Sequence, residues 1–293
     1  MTGPAQPAAP PPGPGPDPKP RDDELDAAGL TDIGKVRSEN QDHFLFATLH
    51  KTIKIRHTSL PGAEALEVLS QRLASVAMVA DGVGGTEGGE AASRTTVETV
   101  TAYVNHTMGC YYQAKHEDDA AFLEELKAAA ATCHETVTAQ AREIKLDRMA
   151  TTLTLALAVW PKMYLLQVGD SRGYLLRDGE LTMLTRDQTM AQALVDSGAI
   201  KPADVARSPF RNVLSSAIGR GPAPEISQHD LRLGDTLLLC SDGLTKHVPD
   251  QQIRHRLRSM TSSQDGCRML VDDALAGGGS DNITVLIVRT VRP

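Results

Sequence analysis

Short apolar segments that occur in neighbouring pairs, rather than alternating with helices, most constrain what this chain can fold into. Seven segments have the apolar, β-branched composition of strands: 75–80, 152–159, 164–168, 173–176, 180–184, 236–240 and 283–288. Arg177-Asp178-Gly179 separates two of them and predicts a tight hairpin turn. Because hairpins join antiparallel strands, the pattern predicts an α+β fold with antiparallel sheets and helices on their outer faces.

Four segments have the periodicity expected of helices. The clearest places five apolar residues on one face, at spacings of three or four: Phe122, Leu126, Ala129, Cys133 and Val137. The other three helices are predicted at 94–106, 187–197 and 266–276. Helices this few and this unevenly spaced do not form regular βαβ units, which agrees with antiparallel sheets.

The first 26 residues differ in composition from the rest of the chain. Nine of the 17 prolines fall within residues 1–20, and a segment so rich in Pro, Gly and Ala cannot build a hydrophobic core. We therefore predict a disordered tail at 1–26, with a proline-rich ligand for a partner as the alternative. No second linker and no internal repeat follows, so residues 27–293 are predicted to form a single domain.

Charge and composition argue against two classes of partner. The net charge is −7 and aromatic residues make up 3% of the chain, whereas nucleic-acid binders carry basic patches and stacking aromatics. No run approaches the ~18 apolar residues that cross a bilayer, and the N-terminus lacks the pattern of a secretory signal. The sequence therefore predicts a cytoplasmic monomer with no nucleic-acid partner and no membrane span.

Five aspartates stand where strands and turns are expected to meet: Asp42, Asp81, Asp170, Asp242 and Asp281. Carboxylates that project from neighbouring strand ends can converge in a cleft, where repulsion and desolvation would protonate them unless a cation is present. Hard divalent cations prefer oxygen ligands, so Mg²⁺ or Mn²⁺ is the expected ion. Gly82 has no Cβ, which would let its carbonyl oxygen approach such an ion.

Each aspartate taken alone has a simpler interpretation. Asp-Gly and Asp-Asn are common turn dipeptides, so a single one is more often a turn than a metal ligand. Asp178-Gly179 is the example within this chain, since it fits a hairpin turn without any further function. The metal site is favoured by the whole set, in order along the chain, with its flanking strands.

Short motifs follow one another along most of the chain: 34–42 (GKVRSENQD), 81–85 (DGVGG), 89–93 (GEAAS), 151–153 (TTL), 169–172 (GDSR), 241–244 (SDGL) and 279–282 (GSDN). Together they resemble the PPM family, the type 2C serine/threonine protein phosphatases, in its bacterial form. The resemblance covers about residues 27–290. It implies a sandwich of two antiparallel β-sheets flanked by α-helices, with metal ions in a cleft at one edge.

The resemblance implies a set of metal ligands by position. Asp81 would bridge two metal ions, and the Gly82 carbonyl would bind the second. Asp242 and Asp281 would complete the first site. Asp170 would hold a weaker third ion, so two or three Mn²⁺ or Mg²⁺ ions are expected per chain.

The resemblance also implies four catalytic residues: Arg37, Asp42, Asp81 and Asp242. Arg37 would bind the substrate phosphate, because its planar fork donates two parallel hydrogen bonds. Without the resemblance, a surface salt bridge would be the simpler interpretation of Arg37. Asp42 would act beside the metal pair through bound water.

The implied function is hydrolysis of phosphoserine and phosphothreonine in other proteins by a hydroxide that bridges two metal ions. Phosphorylated proteins are then the expected partners, together with a bacterial serine/threonine kinase that the enzyme would counteract. Two alternatives remain open. One is a non-catalytic scaffold of the same fold, although the metal carboxylates it would have lost are all present. The other is a phosphatase dedicated to a phosphorylated sigma-factor regulator.

The chain departs from the family pattern in several places. Val83 stands where many eukaryotic members carry a histidine, so this side chain cannot protonate a leaving group. Gln41 replaces an acidic residue that is common at its position. The connection at 47–73 is longer than usual, and its 51–56 stretch is expected either to extend the sheet or to form a basic lip. Residues at about 187–219 correspond to a flap beside the cleft, where substrate access is governed.

Overall fold

The protein is described by a computed structural model that covers residues 17–53, 68–83, 87–111, 119–146 and 149–291. Within these ranges, two antiparallel β-sheets pack face to face, and helices cover both outer faces. The predicted α+β sandwich is therefore confirmed. No helix in the described ranges is long and apolar enough to cross a membrane.

The first sheet has five strands: β1 (Leu25–Asp32), β7 (Arg172–Arg177), β8 (Glu180–Met183), β10 (Thr236–Cys240) and β11 (Ile283–Thr290). Their spatial order is β1-β11-β10-β7-β8, with antiparallel pairing throughout. Asp178 and Gly179 form the predicted turn between β7 and β8. Both have positive φ, 52° and 79°, which a two-residue hairpin turn of the Asp-Gly kind requires.

The second sheet consists of β2 (Asp42–Ile53), β3 (Val68–Val83), β4 (Ala150–Thr151), β5 (Leu153–Val159), β6 (Lys162–Val168) and β9 (Glu225–Asp230). The spatial order is β2-β3-β5-β6-β9, and the short β4 pairs with the end of β3. Apolar side chains from both sheets fill the layer between them, with Val79, Leu165 and Leu239 among its most buried members.

Six helices complete the described fold: α1 (Glu87–Tyr111), α2 (Asp119–Glu143), α3 (Met190–Asp196), α4 (Asp242–Thr245), α5 (Asp250–Ser259) and α6 (Ser263–Ala276). α1 and α2 cover the second sheet, and α4, α5 and α6 cover the first. The five apolar residues predicted to share one face of α2 are all buried in the core beneath it. α6 begins where the Ser262 hydroxyl accepts a hydrogen bond from the Asp265 N–H at 3.1 Å, an N-cap of the usual kind.

All seven predicted strands and all four predicted helices are present, although the ends of most of them differ from the prediction by one to several residues. Two of the strands missed by the sequence are polar or half-buried. β1 is half-buried along its whole length, and β9 is an edge strand with the sequence EISQHD, so neither has the apolar run that predicts a strand. β2 extends the sheet as far as Ile53, which pairs with Val68. The remainder of the predicted 51–56 stretch lies outside the described residues.

The predicted boundary of the N-terminal tail is wrong. β1 begins at Leu25, inside the segment assigned to the tail, and several of the residues at 17–24 contact the domain. The Trp160 indole donates to the Asp17 carbonyl at 2.9 Å, and the Leu233 N–H donates to the Asp17 carboxylate at 3.0 Å. The buried Arg72 side chain donates to the Pro20 carbonyl. The composition argument failed because it averaged a proline-rich stretch with the charged residues that follow it; residues 1–16 lie outside the described ranges.

The segment at 187–219, predicted as a flap, connects the two sheets between β8 and β9. It contains α3 and a 3₁₀ helix at Pro202–Arg207. Its base is fixed by Arg172, whose guanidinium binds both carboxylate oxygens of Asp187 at 2.8 and 2.7 Å. Gln188 also joins the base to the turn after β6, because its side-chain oxygen accepts from the Gly169 N–H at 2.9 Å.

Candidate functional site

The ends of several strands bring the five predicted aspartates to one edge of the sandwich. Asp42 begins β2 and lies opposite Asp81 of β3 in the register of the second sheet. Asp170 follows β6, Asp242 follows β10, and Asp281 precedes β11. All except Asp42 line one open cleft of about 370 Å³. Asp42 is buried beside them, with 4% of its surface exposed.

The backbone at Asp81 is fixed by the predicted Thr-Thr motif. The Asp81 N–H donates to the Thr152 hydroxyl at 3.0 Å, and the Asp81 carbonyl accepts from the Thr151 hydroxyl and the Thr152 N–H at 2.9 Å each. Gly82 is required by close packing, since a Cβ there would lie 2.4 Å from the Gly89 carbonyl oxygen. The motif at 81–85 is therefore held in place by contacts with the motifs at 151–153 and 89–93.

Asp42 is a buried carboxylate with only half of its oxygens satisfied. Its Oδ2 accepts from the Ser241 hydroxyl at 2.7 Å, whereas Oδ1 has no hydrogen-bond partner in the part of the chain that is described. Burial raises the pKa of Asp42 to about 6, and the hydrogen bond from Ser241 only partly opposes this. A buried oxygen without a partner is costly, so Oδ1 marks a place where a polar group fits.

The aspartates of the cleft make one another harder to ionise. Burial raises the pKa of Asp81 well above its ordinary value, and the charges of Asp42, Asp242, Asp170 and Asp281 raise it further. Burial and the charge of Asp242 also raise the pKa of Asp170 to about 8. The pKa of Asp242 is raised mainly by burial. This surplus of negative charge is what a bound cation would relieve.

Two basic side chains hold the outer aspartates of the cleft in a chain of ion pairs. Arg37 binds both oxygens of Asp281, with its Nε 2.6 Å from Oδ1 and its Nη2 2.9 Å from Oδ2. The Lys246 ammonium lies 2.6 Å from Oδ2 of Asp281 and 2.6 Å from Oδ2 of Asp242. Burial would raise the pKa of Asp281, but the hydrogen bonds from Arg37 and Lys246 outweigh it and lower that pKa.

Lys246 was not predicted as a site residue, although a signal for it exists. It follows Asp242 by four residues at the end of α4, and this spacing places two side chains on the same face of a helix. The contact between Lys246 and Asp281, 35 residues further along the chain, has no local signal in the sequence.

Asn282 belongs to a predicted motif, but its role was missed. Its side-chain oxygen accepts from the Gln41 N–H at 3.0 Å, and its NH₂ group donates to the carbonyls of Ile33 and Glu39 at 2.9 Å each. Asn282 therefore fixes both ends of the loop that carries Arg37 into the cleft. Gly82 and Val83 also line the cleft, and the flap contributes Asn212 and Leu214 to its wall.

The donor set of the cleft fits a hard divalent ion. The acidic side chains offer only oxygens, and burial suppresses the ionisation of all of them except Asp281. Asp42 Oδ1 is a buried acceptor without a partner among the described residues, so the set suits an ion that prefers oxygen ligands. In their present positions, however, no three acidic, histidine or cysteine side chains of the described residues are grouped to hold one ion. Arg37 and Lys246 instead occupy carboxylate oxygens of Asp281 and Asp242.

Comparison with known proteins defines the class to which this fold and site belong. The family model described as Protein phosphatase 2C matches residues 56–276. The chain therefore belongs to the protein phosphatase 2C family.

Several members of this family resemble the chain over most of its length. Serine/threonine protein phosphatase PstP of Mycobacterium tuberculosis is 37% identical over 215 residues, which make up 73% of this chain and 40% of PstP. The chain thus matches less than half the length of that relative. Serine/threonine phosphatase stp of Listeria monocytogenes is 33% identical over 216 residues, 73% of this chain and 84% of stp.

A solved structure shows the same fold. The crystal structure of the catalytic domain of PstP in complex with two manganese ions superimposes with a TM-score of 0.70 and 31% identity. The match covers 92% of this chain and 99% of that one.

Proposed function

We propose that this protein is a metal-dependent phosphatase that hydrolyses phosphoserine and phosphothreonine in other proteins. The observation that carries the proposal is the convergence of five aspartates at one edge of the sandwich, where four of them line a cleft that also contains Arg37. Membership of the family and the names of PstP and stp, both serine/threonine phosphatases, support this choice of substrate. A single catalytic domain that includes Asp17 and β1, rather than one that begins at residue 27, is part of the proposal.

The proposed cofactor is Mn²⁺ or Mg²⁺, with two ions per chain and a weaker third. Asp81, the Gly82 carbonyl, Asp242 and Asp281 would hold the pair, and Asp170 would hold the third. The two manganese ions in the PstP catalytic domain support the proposed pair. Bound divalent ions neutralise phosphate oxygens and lower the pKa of water that binds to them.

The residues of the chain would contribute binding and proton transfer around the reacting phosphate. Arg37 would exchange its bidentate contact with Asp281 for a bidentate contact with the phosphate. Asp42 Oδ1, which has no partner in the described residues, would accept a proton from the attacking water. Val83 provides no acid in the cleft, so the leaving serine or threonine oxygen would take its proton from water or would leave without a general acid.

The test is hydrolysis of a phosphothreonine peptide with Mn²⁺, with Mg²⁺ and with EDTA, for the wild type and for D242N. We expect turnover with either ion and none with EDTA. D242N should lower kcat/KM by roughly a hundredfold or more, because it removes a charge that would hold the ion. Full activity after thorough chelation, or an active D242N, would contradict the proposal.

A serine/threonine kinase of the same cell is proposed as the opposing enzyme, and the protein is proposed to act as a monomer in the cytoplasm. A comparison of phosphoproteins with and without the active enzyme would identify its substrates. If the phosphoproteins that accumulate without the active enzyme are all sigma-factor regulators, the proposal of a dedicated phosphatase would replace that of a general one.

A further inference from the structure

Lys246 occupies a position between two carboxylates that are proposed to bind a metal ion. Its ammonium lies 2.6 Å from Oδ2 of Asp242 and 2.6 Å from Oδ2 of Asp281. Only 24% of the Lys246 side chain is exposed, and the exposed fractions of the two carboxylates are 18% and 17%. A lysine held at this distance by two largely buried carboxylates makes charge-assisted hydrogen bonds, which are stronger than a surface ion pair.

The position of Lys246 is set by local structure. It lies at the end of the single helical turn α4, whose first residue is Asp242, and its N–H donates to the Asp242 carbonyl at 2.8 Å. Gly243 follows Asp242 and packs so closely that a Cβ there would lie 1.9 Å from the Asn282 carbonyl oxygen. The turn is therefore pressed against the segment that carries Asp281, and Lys246 reaches both aspartates without leaving its own helix.

The oxygens of Asp281 are fully engaged in this arrangement. Arg37 takes both of them, and Lys246 shares Oδ2. A divalent ion bound to Asp281 would need an oxygen that Arg37 or Lys246 now holds, and at Asp242 it would lie beside the ammonium that holds Oδ2. A cation and a metal ion cannot both make direct contact with the same carboxylate oxygen without strong repulsion between them.

We infer that Lys246 is a tethered cation that competes directly with the divalent metal for Asp242 and Asp281. This inference rests on the proposed function. In the metal-free protein, Lys246 neutralises the two aspartates and stabilises the cleft. Metal binding breaks both contacts, so part of the metal's binding free energy is spent on displacing the ammonium. Lys246 therefore weakens metal binding and stabilises the metal-free fold.

Lys35 provides a matched control for the general effect of charge. It precedes Arg37 by two residues, and its N–H donates to the Gly279 carbonyl at 2.7 Å, two residues before Asp281. It is thus an exposed lysine next to the segment that carries Asp281, but it is not a member of the Arg37–Asp281–Lys246–Asp242 chain of ion pairs. Replacing either lysine by methionine removes one positive charge and keeps a long, unbranched side chain.

The experiment is a calorimetric titration of the wild type, K246M, K35M and D242N with MnCl₂. We expect K246M to bind Mn²⁺ about tenfold more tightly than the wild type, because charge-assisted hydrogen bonds to the competing cation are gone. K35M should change the Kd by less than about threefold, since exposed charges are screened by solvent and salt. Equal effects of K246M and K35M, or weaker binding by K246M, would overturn the inference.

A second measurement separates competition from a merely structural role. Thermal melting in EDTA should show K246M to be less stable than the wild type, whereas the gain on adding Mn²⁺ should be larger for K246M. If K246M does not fold, K246Q serves in the same two measurements. A variant that is as stable as the wild type in EDTA and has the same Mn²⁺ gain would contradict direct competition.

The controls also distinguish this inference from the proposed function. If the wild type binds no Mn²⁺, or if D242N binds it as tightly as the wild type, the metal site itself is wrong and both ideas fail. If the wild type binds Mn²⁺, D242N does not, and K246M behaves as K35M does, the metal site stands and only the role of Lys246 is wrong.

Discussion

Two aspartates at opposite ends of the sandwich have nearly the same burial but very different surroundings. Asp235 directly precedes β10 and is 5% exposed; Asp42 lies at the cleft and is 4% exposed. Arg177 binds both oxygens of Asp235 at 2.8 and 2.6 Å, and the Arg232 N–H adds a third bond at 2.8 Å. Asp42 accepts one bond from Ser241, and its second oxygen has no partner in the described chain.

The difference is the one expected between a carboxylate that is matched within the fold and a carboxylate that is proposed to act on a ligand. Asp235 has its own guanidinium, and its charge is matched within the fold. Four aspartates line the cleft and Asp42 is buried beside them, whereas the basic side chains that line it within the described residues are Arg37 and Lys246, so carboxylates outnumber cations. A fold maintains such an imbalance at a cost in stability, which is expected where a ligand supplies the missing charge. The predictions below test whether the two ends respond to mutation in these opposite ways.

The largest effect on stability is expected at the matched end, the end of the sandwich where Arg177 pairs with Asp235. D235N should destabilise the protein by about 3 kcal/mol, because it leaves the Arg177 guanidinium without its carboxylate. Chemical denaturation in the presence of EDTA measures this effect. The control is D178N, at a turn position with φ of 52° that asparagine also tolerates, which should change stability by less than about 0.5 kcal/mol. Equal effects of the two variants would remove the distinction drawn for Asp235.

In the cleft, replacing an aspartate should instead increase stability, by an amount that depends on pH. Burial raises the pKa of Asp42 from 3.8 to about 6, so the folded state favours the protonated acid. The stabilisation is present below about pH 4 and is lost as the pH rises through 6. In EDTA, the free energy of unfolding of D42N relative to that of the wild type should therefore rise by up to about 3 kcal/mol between pH 4 and pH 7. A pH-independent difference between the two proteins would show that Asp42 is not held in this state.

The N-terminal segment should behave as part of the matched end. Deletion of residues 1–21 removes the contacts of Asp17, Lys19 and Pro20 with the domain, and we expect it to cost about 2 kcal/mol. Deletion of residues 1–16 alone should cost little, since that stretch is too rich in proline and glycine to contribute a core. Activity at 25 °C should be unchanged in both. Equal melting temperatures for the two deletions would show that the contacts do not stabilise the fold.

The smallest effect is expected for Arg37, which belongs to the cleft but has 44% of its side chain exposed. R37A should lower kcat/KM by roughly tenfold, about 1.4 kcal/mol, through the loss of phosphate contacts. Its effect on the free energy of unfolding should be within about 1 kcal/mol, as for other partly exposed ion pairs. Steady-state kinetics with a phosphothreonine peptide will test this. A normal kcat/KM would reduce Arg37 to a salt-bridge partner of Asp281.

The sequence predicted the interior of the fold better than its edges. Buried strands such as β10 (Thr236–Cys240) are continuous apolar runs, and that strand was predicted with its observed bounds. β1 and β9 are half-buried or at an edge, and their polar residues give no such run. The N-terminal boundary was misplaced for a related reason, because the contacts of Asp17 are made by residues more than 140 positions away.

The candidate site was predicted through ordered motifs rather than through composition. The structure brings Asp42, Asp81, Asp170, Asp242 and Asp281 to one edge of the sandwich, as the motifs implied. Their individual roles as ligands remain predictions. Lys246 was not predicted because its second partner is distant in the sequence. The role of Asn282 was not predicted because its contacts are with backbone atoms, which sequence motifs do not reveal.

The central claim is that the unmatched carboxylates of the cleft hold divalent ions, and thermal melting of three proteins tests it most directly. The wild type, D242N and D235N should be melted in EDTA and in Mn²⁺ at a hundredfold excess over the wild-type Kd. The account predicts that Mn²⁺ stabilises the wild type and D235N equally, by about 2.7 kcal/mol for each ion bound, although D235N starts from a lower melting temperature. D242N should be at least as stable as the wild type in EDTA, because burial raises the pKa of Asp242 by more than Lys246 lowers it, so the net effect of its charge opposes folding. Mn²⁺ should stabilise D242N little. A full Mn²⁺ response by D242N, or its loss in D235N alone, would contradict the account.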